Sequence, residues 1–289
     1  MADLPALVTE CVEEWQLEIR GPFETASHSH VAPGTRSDGL AIILKLVPPP
    51  VDAYTWEEAA LRWYGGQGAA RLIASALSRR ALLLERVVPG DRMSTLVHED
   101  GEEEALMAAA GVMRRLWTAS DDGTLPDVPR IEEDLDVLAR HRRHRSPDAG
   151  TRLRDLLDRA ETVGRELVRS APPPVLIHGD LHHDNMLSSG AGAWLAVDPK
   201  GRLGEPAYEA AALIRNPLAD LLRRGNLRSR LARRVDMLSD ALELERERIL
   251  GWSLVMAVVA SCWALEDADD SWKGWLDIAA ALATIRRAP

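Results

Sequence analysis

The feature that most narrows the fold is a change of periodicity along the chain. Strand-like apolar runs crowd the first stretch of roughly 90 residues, and helical spacing dominates the rest. Residues 40–47 form an aliphatic run. It follows the turn signal Asp38-Gly39 and stops at Pro48, which predicts a strand. Residues 69–74 and 81–88 read the same way, the second ending in a turn at Pro89-Gly90-Asp91. Two helices sit among these strands. One is predicted over 6–20 from the spacing of Leu7, Cys11, Trp15 and Ile19. The other begins after Thr55, which forms a capping box with Glu58. Beyond residue 88, helices are predicted over 102–119, 131–142, 151–168, 206–224, 242–265 and 272–286. Only two short strand candidates interrupt them, 175–178 and 194–198, with a turn at 188–192 between. The arginine-rich stretches 140–145 and 223–234 read as solvated helix faces. The expected architecture is therefore α+β in two lobes, 1–88 strand-rich and 89–289 helical.

Composition sets limits on function. The 289 residues carry a formal net charge of -10, which disfavours binding to nucleic-acid phosphates and suits a cationic ligand. Two cysteines at non-metal spacing give no disulfide framework. The N-terminus has no signal-peptide pattern, and the longest apolar run, near 252–265, is too short for a membrane span. A cytoplasmic protein with no membrane partner is expected, as a monomer or a weak homodimer. Of 35 basic residues only Lys45, Lys200 and Lys273 are lysine. In a chain that uses arginine nearly everywhere, a lysine marks a place that needs a compact ammonium.

Two of those lysines lie in or near the chemistry. The stretch 177–187 reads Ile-His-Gly-Asp-Leu-His-His-Asp-Asn-Met-Leu, and a hairpin later 194–201 reads Trp-Leu-Ala-Val-Asp-Pro-Lys-Gly. This spacing suits phosphoryl transfer, with Asp180 as the base for a hydroxyl and Asn185 and Asp198 as oxygen ligands for magnesium on ATP. A zinc site built from His178, His182 and His183 is a rival reading. Against it, adjacent histidines diverge and no H-E-x-x-H pattern is present. Polar residues capping strands and turns are a third reading, but it does not explain an Asp, Asn, Asp series between apolar strands.

The string HGDLHHDN followed by AVDPKG resembles the catalytic and metal-binding loops of the aminoglycoside phosphotransferases, and among them the streptomycin and hydroxyurea kinase branch. The segments EPAYEAAALIRNP and EEAALRWYGGQGAARL are similar to that branch too, so the resemblance spans residues 15–285. It implies a protein-kinase-like fold and ATP-dependent phosphorylation of a small-molecule hydroxyl, with an aminoglycoside such as streptomycin as the expected acceptor. Asp180 would be catalytic, with Asn185 and Asp198 holding Mg2+. The usual D-F-G triplet is replaced here by Asp198-Pro199-Lys200.

The resemblance also asks for a lysine on the nucleotide phosphates, and Lys45 in its apolar run fits. Its carboxylate partner is Glu57 or Glu58. Glu57 is favoured because a capping box would occupy Glu58. Ser29, in the segment 27–30, stands where a phosphate-covering loop would lie, although a plain turn explains that segment equally well. The run 82–87 is similar to a kinase hinge, with backbone groups of Glu85 and Val87 for adenine. For a polycationic acceptor the candidate carboxylates are Asp184, Glu209, Glu266, Asp267, Asp269 and Asp270. The role of Lys200 is left open. The alternatives in function are a kinase of another metabolite or of a hydroxyurea-like compound, and a non-catalytic nucleotide sensor.

Overall fold

The computed structural model describes residues 4–21, 24–26, 29–48, 51–98, 101–118, 124–143 and 150–285. Helix α1 (Leu4–Trp15) gives way to strand β1 (Leu17–Ile19). Gln16 adopts a left-handed φ of 54° between them, so the helix expected over 6–20 stops early and Ile19 belongs to a strand. Strands β2 (Glu24–Ala26), β3 (Ser29–Arg36) and β4 (Ala41–Leu46) follow, then helix α2 (Val51–Tyr64), β5 (Leu72–Ala76) and β6 (Ala81–Glu85). They form one sheet in the order β1-β3-β4-β6-β5, with β2 beside β3. Strand β4 is central, antiparallel to β3 and to β6.

Alternation along β4 decides what its two faces do. Ile42, Leu44 and Leu46 are buried with Cys11 and Leu17 beneath α1. The intervening Ile43 and Lys45 point to the other face, where Ile43 packs with Tyr54 and Leu61 of α2. On α2 the buried positions are Tyr54, Glu57, Ala60, Leu61 and Tyr64, spaced by three and four residues. Glu57 therefore shares the apolar face of its helix. The capping box expected at Thr55 does not form. The helix begins at Val51, one turn earlier, and Thr55 Oγ1 donates to the Asp52 carbonyl at 2.8 Å. Glu58, on the exposed side, is engaged by Arg62 and Ser75.

The turn expected at 89–91 is strand β7 (Pro89–Arg92), which pairs with β9 (Met186–Ser189), itself paired with β10 (Ala193–Ala196). Proline is tolerated there because it opens the strand. Helices α3 (Ser94–His98), α4 (Glu102–Trp117), α5 (Asp136–Arg143) and α6 (Gly150–Arg169) lead to strand β8 (Val175–Ile177), which pairs with β11 (Arg202–Gly204). Helices α7 (Pro206–Arg215), α8 (Leu218–Arg223), α9 (Leu227–Leu242), α10 (Arg246–Glu266) and α11 (Trp272–Ala283) complete the fold. The helix expected over 206–224 is two helices. Pro217 lacks the N–H that would continue it and disfavours helical geometry at Asn216.

Helix α9 was hidden by its arginines. Leu231, Val235 and Leu238 recur at helical spacing and are fully buried, so residues 223–234 are not simply a solvated face. Arg234 is itself 1% exposed. Helix α10 is long and apolar enough to cross a membrane by length and composition, yet its apolar window is mostly buried within the protein. It packs against α6, α7 and α11 as the central helix of the core.

Candidate active site

Strand β8 delivers the chain to Gly179 and Asp180. Gly179 has φ +85°, and a Cβ there would lie 2.9 Å from Cγ of Arg202, so the sharp exit from the strand requires glycine. Three residues brace the loop from within. Asn185 Nδ2 donates to the Asp180 carbonyl at 2.9 Å, and the His182 amide donates to the same carbonyl at 2.9 Å. His178 lies beneath, fully buried. Its Nδ1 accepts from the Asp180 amide at 3.3 Å, which leaves Nε2 to donate to the Val197 carbonyl at 2.9 Å. Burial lowers its pKa to about 4, so it is neutral near pH 7. Both ring nitrogens are thus committed to holding the loop against the Asp198 segment, and the zinc reading has no ligand in His178. His183 is also buried, and burial pushes its pKa well below the ordinary value.

Glu209 lies under the same loop. It was expected among the acceptor carboxylates, but it is 1% exposed and accepts the His178 amide at 2.6 Å and the Gly179 amide at 3.0 Å. Burial raises its pKa to about 7, with those backbone N–H groups working against the rise. It is a positioning residue beneath Asp180.

The Asp198 segment meets the loop through backbone bonds. The Lys200 amide donates to the His178 carbonyl at 2.8 Å and the Val197 amide to the Asn185 carbonyl at 2.9 Å. Asp198 has φ +61°, a left-handed conformation uncommon for a non-glycine residue and typical of functional sites. At Gly201 a Cβ would stand 2.6 Å from the Trp56 carbonyl, so this turn packs directly on α2.

That packing brings both halves of the sequence together. Lys45 Nζ bonds Glu57 Oε1 at 2.6 Å and also bonds Asp198 Oδ1 across 153 positions of sequence. Lys45 and Glu57 side chains are each 6% exposed. Burial acts to lower the Lys45 pKa, but the carboxylates of Glu57 and Asp198 outweigh it and the net shift is upward. Burial acts to raise Asp198, but Lys45 and Lys200 hold it at about 2. Lys200 Nζ lies 3.1 Å from Asp198 Oδ2, so Asp198 is an ionised carboxylate with a cation on each oxygen. Since Asn185 spends its Nδ2 on Asp180, its Oδ1 is the atom left to face a ligand. An amide oxygen and an ionised carboxylate are a donor set that fits a hard divalent cation.

The remaining expected residues fall on both sides of this centre. Ser29 is buried at the start of β3, opposite Ala26, while Ser27 and His28 lie outside the described residues. The Glu85 amide is taken by the Arg71 carbonyl at 2.9 Å and the Arg86 amide by the Ala41 carbonyl, so the strand edge runs to residue 86 and Val87 follows it. A pocket of about 440 Å³ opens beside Asp180. Of the expected acceptor carboxylates, Asp267 and Asp269 line it. Asp184 is exposed and accepts from Ser94 Oγ at 2.5 Å instead, because the turn at 183–185 directs it toward α3. Asp270 is almost fully exposed and pairs with Lys273, one turn along. Glu266 is drawn to Arg140 and His141.

Sequence reasoning missed Asp134, Arg202, Arg215 and Trp275, which also line the pocket. Asp134 accepts from Tyr208 Oη at 2.6 Å and lies 3.7 Å from Arg202. Asp134, Arg202 and Trp275 sit in no recognisable motif, whereas Arg215 lies in the segment EPAYEAAALIRNP, whose likeness to the kinase branch did not single it out. Arg202 carried a weaker signal, two residues from Lys200.

Comparison with known proteins bears on the family and the fold. The family model for aminoglycoside/hydroxyurea antibiotic resistance kinases matches residues 14–268. The streptomycin 6-kinase of Streptomyces griseus is 32% identical over 92% of this chain and 85% of its own length. The hydroxyurea phosphotransferase of Kitasatospora aureofaciens is 32% identical over 92% of this chain and 74% of its own. A thermostable mutant aminoglycoside phosphotransferase, solved in ternary complex with ADP and hygromycin B, superposes with a TM-score of 0.67. It covers 96% of this chain and 99% of that one at 14% identity, and so reports on fold alone. The fold is the protein-kinase-like fold of these enzymes, and the chain belongs to the aminoglycoside/hydroxyurea antibiotic resistance kinase family.

Proposed function

We propose that the protein transfers the γ-phosphoryl group of ATP to a hydroxyl of an aminoglycoside such as streptomycin. The observation that carries this reading is the meeting of Lys45, Glu57 and Asp198, which Lys200 connects to the pocket that it lines together with Asp180. Lys45, kept protonated by its two carboxylates, leaves Asp198 for the nucleotide phosphates. Asn185 Oδ1 and Asp198 would hold Mg2+, which when bound neutralises charge on the phosphates. The Val87 amide lies at the strand end where adenine would be read. Asp180 orients the acceptor hydroxyl and takes its proton as the oxygen–phosphorus bond forms and the bond to the ADP oxygen breaks. Glu209 and His178 supply no proton. They fix the loop so that Asp180 is placed before substrate arrives.

The pocket favours an aminoglycoside over hydroxyurea. A volume of about 440 Å³ suits a multi-ring ligand, whereas hydroxyurea would leave most of it to water. Asp267 and Asp269 offer carboxylates to amines, and Trp263 and Trp275 offer faces to sugar rings or cations. The test is ADP release with Mg-ATP across streptomycin, other aminoglycosides and hydroxyurea. Streptomycin or a relative should be turned over, and Asp180→Asn should cut kcat by about 10²–10⁴ with ATP affinity kept. ATP binding without turnover of any acceptor would sink the assignment in favour of a nucleotide sensor.

A further inference from the structure

The acceptor pocket contains three cations, and two of them are committed to carboxylates. Arg202 lies 3.7 Å from Asp134, and Lys200 lies 3.1 Å from Asp198. Arg215 is different. It is only 8% exposed and its Nε is buried with no hydrogen-bond partner among the described residues. No ion pair joins its guanidinium to any of them. A guanidinium with so few protein partners is costly to bury, and the cost is recovered when a ligand in the pocket supplies acceptors to its terminal nitrogens.

A purely structural duty is available to an arginine in the last turn of a helix, where it can neutralise the carbonyl end. That duty is already filled. Arg234, from α9, donates through Nη1 to the carbonyls of Leu213 at 2.9 Å and Ile214 at 3.2 Å, and to that of Asn216. What Arg215 does have is an aromatic support, with Cζ 5.8 Å from the centroid of Trp275. A guanidinium held over an indole keeps its in-plane N–H groups for a partner, and that planar fork matches carbonyl and carboxylate oxygens.

We infer that Arg215 binds a carbonyl or carboxylate oxygen of the acceptor, away from the hydroxyl that is phosphorylated. Arg215 stands six residues beyond Glu209 on α7, about 9 Å further along the helix than the residue bracing the Asp180 loop. The pocket is then dipolar, with Asp267 and Asp269 for amines and Arg215 for an oxygen. A plain polyamine would bring positive charge to an unpaired cation. The acceptor class that satisfies both ends is an amino-sugar or aminocyclitol that also bears a carbonyl or carboxylate. This assignment rests on the acceptor reading above and sharpens it.

The test uses the full-length protein with ¹⁵N-labelled arginine. The Nε–H resonance absent from Arg215→Lys identifies Arg215. Titration with streptomycin, and separately with sodium acetate, should move that resonance to saturation. Arg215→Met should raise the acceptor KM about 10–100-fold, the usual cost of losing a hydrogen bond to a charged group. KM for ATP and kcat should stay near wild type, and Tm without ligand should not fall, because the variant removes a cation that is costly to bury. If the Met variant does not fold, Arg215→Lys carries the kinetic arm, since it keeps the charge and loses the fork. A resonance unmoved by both probes, or an acceptor KM within two-fold of wild type, overturns the inference. So does a loss confined to kcat, which would put the guanidinium on the transferring phosphoryl group. An acetate-responsive resonance in a protein that turns over no acceptor would instead uphold the oxygen site and remove the phosphotransferase reading.

Discussion

Glu209→Gln is the most informative substitution because it separates stability from activity. The carboxylate is 1% exposed and accepts two backbone amides, those of His178 and Gly179. Burial raises its pKa from 4.5 to about 7, those amides oppose the rise, and the nearby charge of Asp180 adds to it. The folded pKa is thus above the unfolded one, so between these values the folded protein keeps a proton that the unfolded chain has released. The stability this supplies is complete below pH 4.5 and is lost as pH rises through about 7. At ~1.4 kcal/mol per pH unit the window sums to about 3 kcal/mol. For a chain of this size that is roughly 5–10 °C in Tm. Glutamine cannot titrate, so wild-type Tm minus variant Tm, measured by calorimetry from pH 5 to pH 8, should fall by that amount. Activity should move the other way. The anion accepts both amides, whereas glutamine can accept only one and turns an N–H toward the other. An unsatisfied buried donor costs about 1–3 kcal/mol, which loosens the seat of Asp180 and should reduce kcat about ten-fold at pH 8. Parallel Tm–pH curves for the two proteins would refute the reasoning.

Three other perturbations test the rest of the site. Lys45→Met strands Glu57 in a buried position. It should cost about 3–5 kcal/mol in denaturant unfolding and raise the ATP KM at least about ten-fold. Adding Glu57→Gln should restore part of the stability and none of the ATP affinity, because the cation itself is missing. Asp198→Asn should raise the Mg2+ concentration needed for half-maximal activity, read by a magnesium titration at fixed ATP, and an unchanged midpoint would remove Asp198 from the metal. Gly201→Ala forces a Cβ to within 2.6 Å of the Trp56 carbonyl at φ +62°, so both Tm and kcat/KM should fall. Gly190→Ala, with nothing within 4 Å, should leave both unchanged as its control.

Much of the centre was legible in the chain itself. Asp180, Asn185 and Asp198 lie within a short span of two apolar strands and a hairpin, so local geometry alone brings them close. Lys45 stood out because an arginine-using chain placed a lysine in an aliphatic strand. The capping box that would favour Glu57 over Glu58 does not form. The pattern Tyr54, Glu57, Leu61, Tyr64 was the better guide, since it sets Glu57 on the buried face of α2. Helix α9 was obscured because charged residues outnumber the buried stripe of Leu231, Val235 and Leu238.

The acceptor pocket was not legible in this way. Its walls come from the turn before α5, from β11, from the end of α7 and from α10 and α11, and no spacing in the sequence relates them. An acidic residue looks the same in the chain whether it lines a pocket, as Asp267 does, or is sealed beneath a loop, as Glu209 is. Composition and local pattern determined the two-part architecture and the polar series assigned to the proposed chemistry, because those depend on short-range periodicity and on residue type. Packing alone decided which carboxylates line the pocket and which is sealed beneath the loop, because burial and pairing are set by residues far apart in sequence.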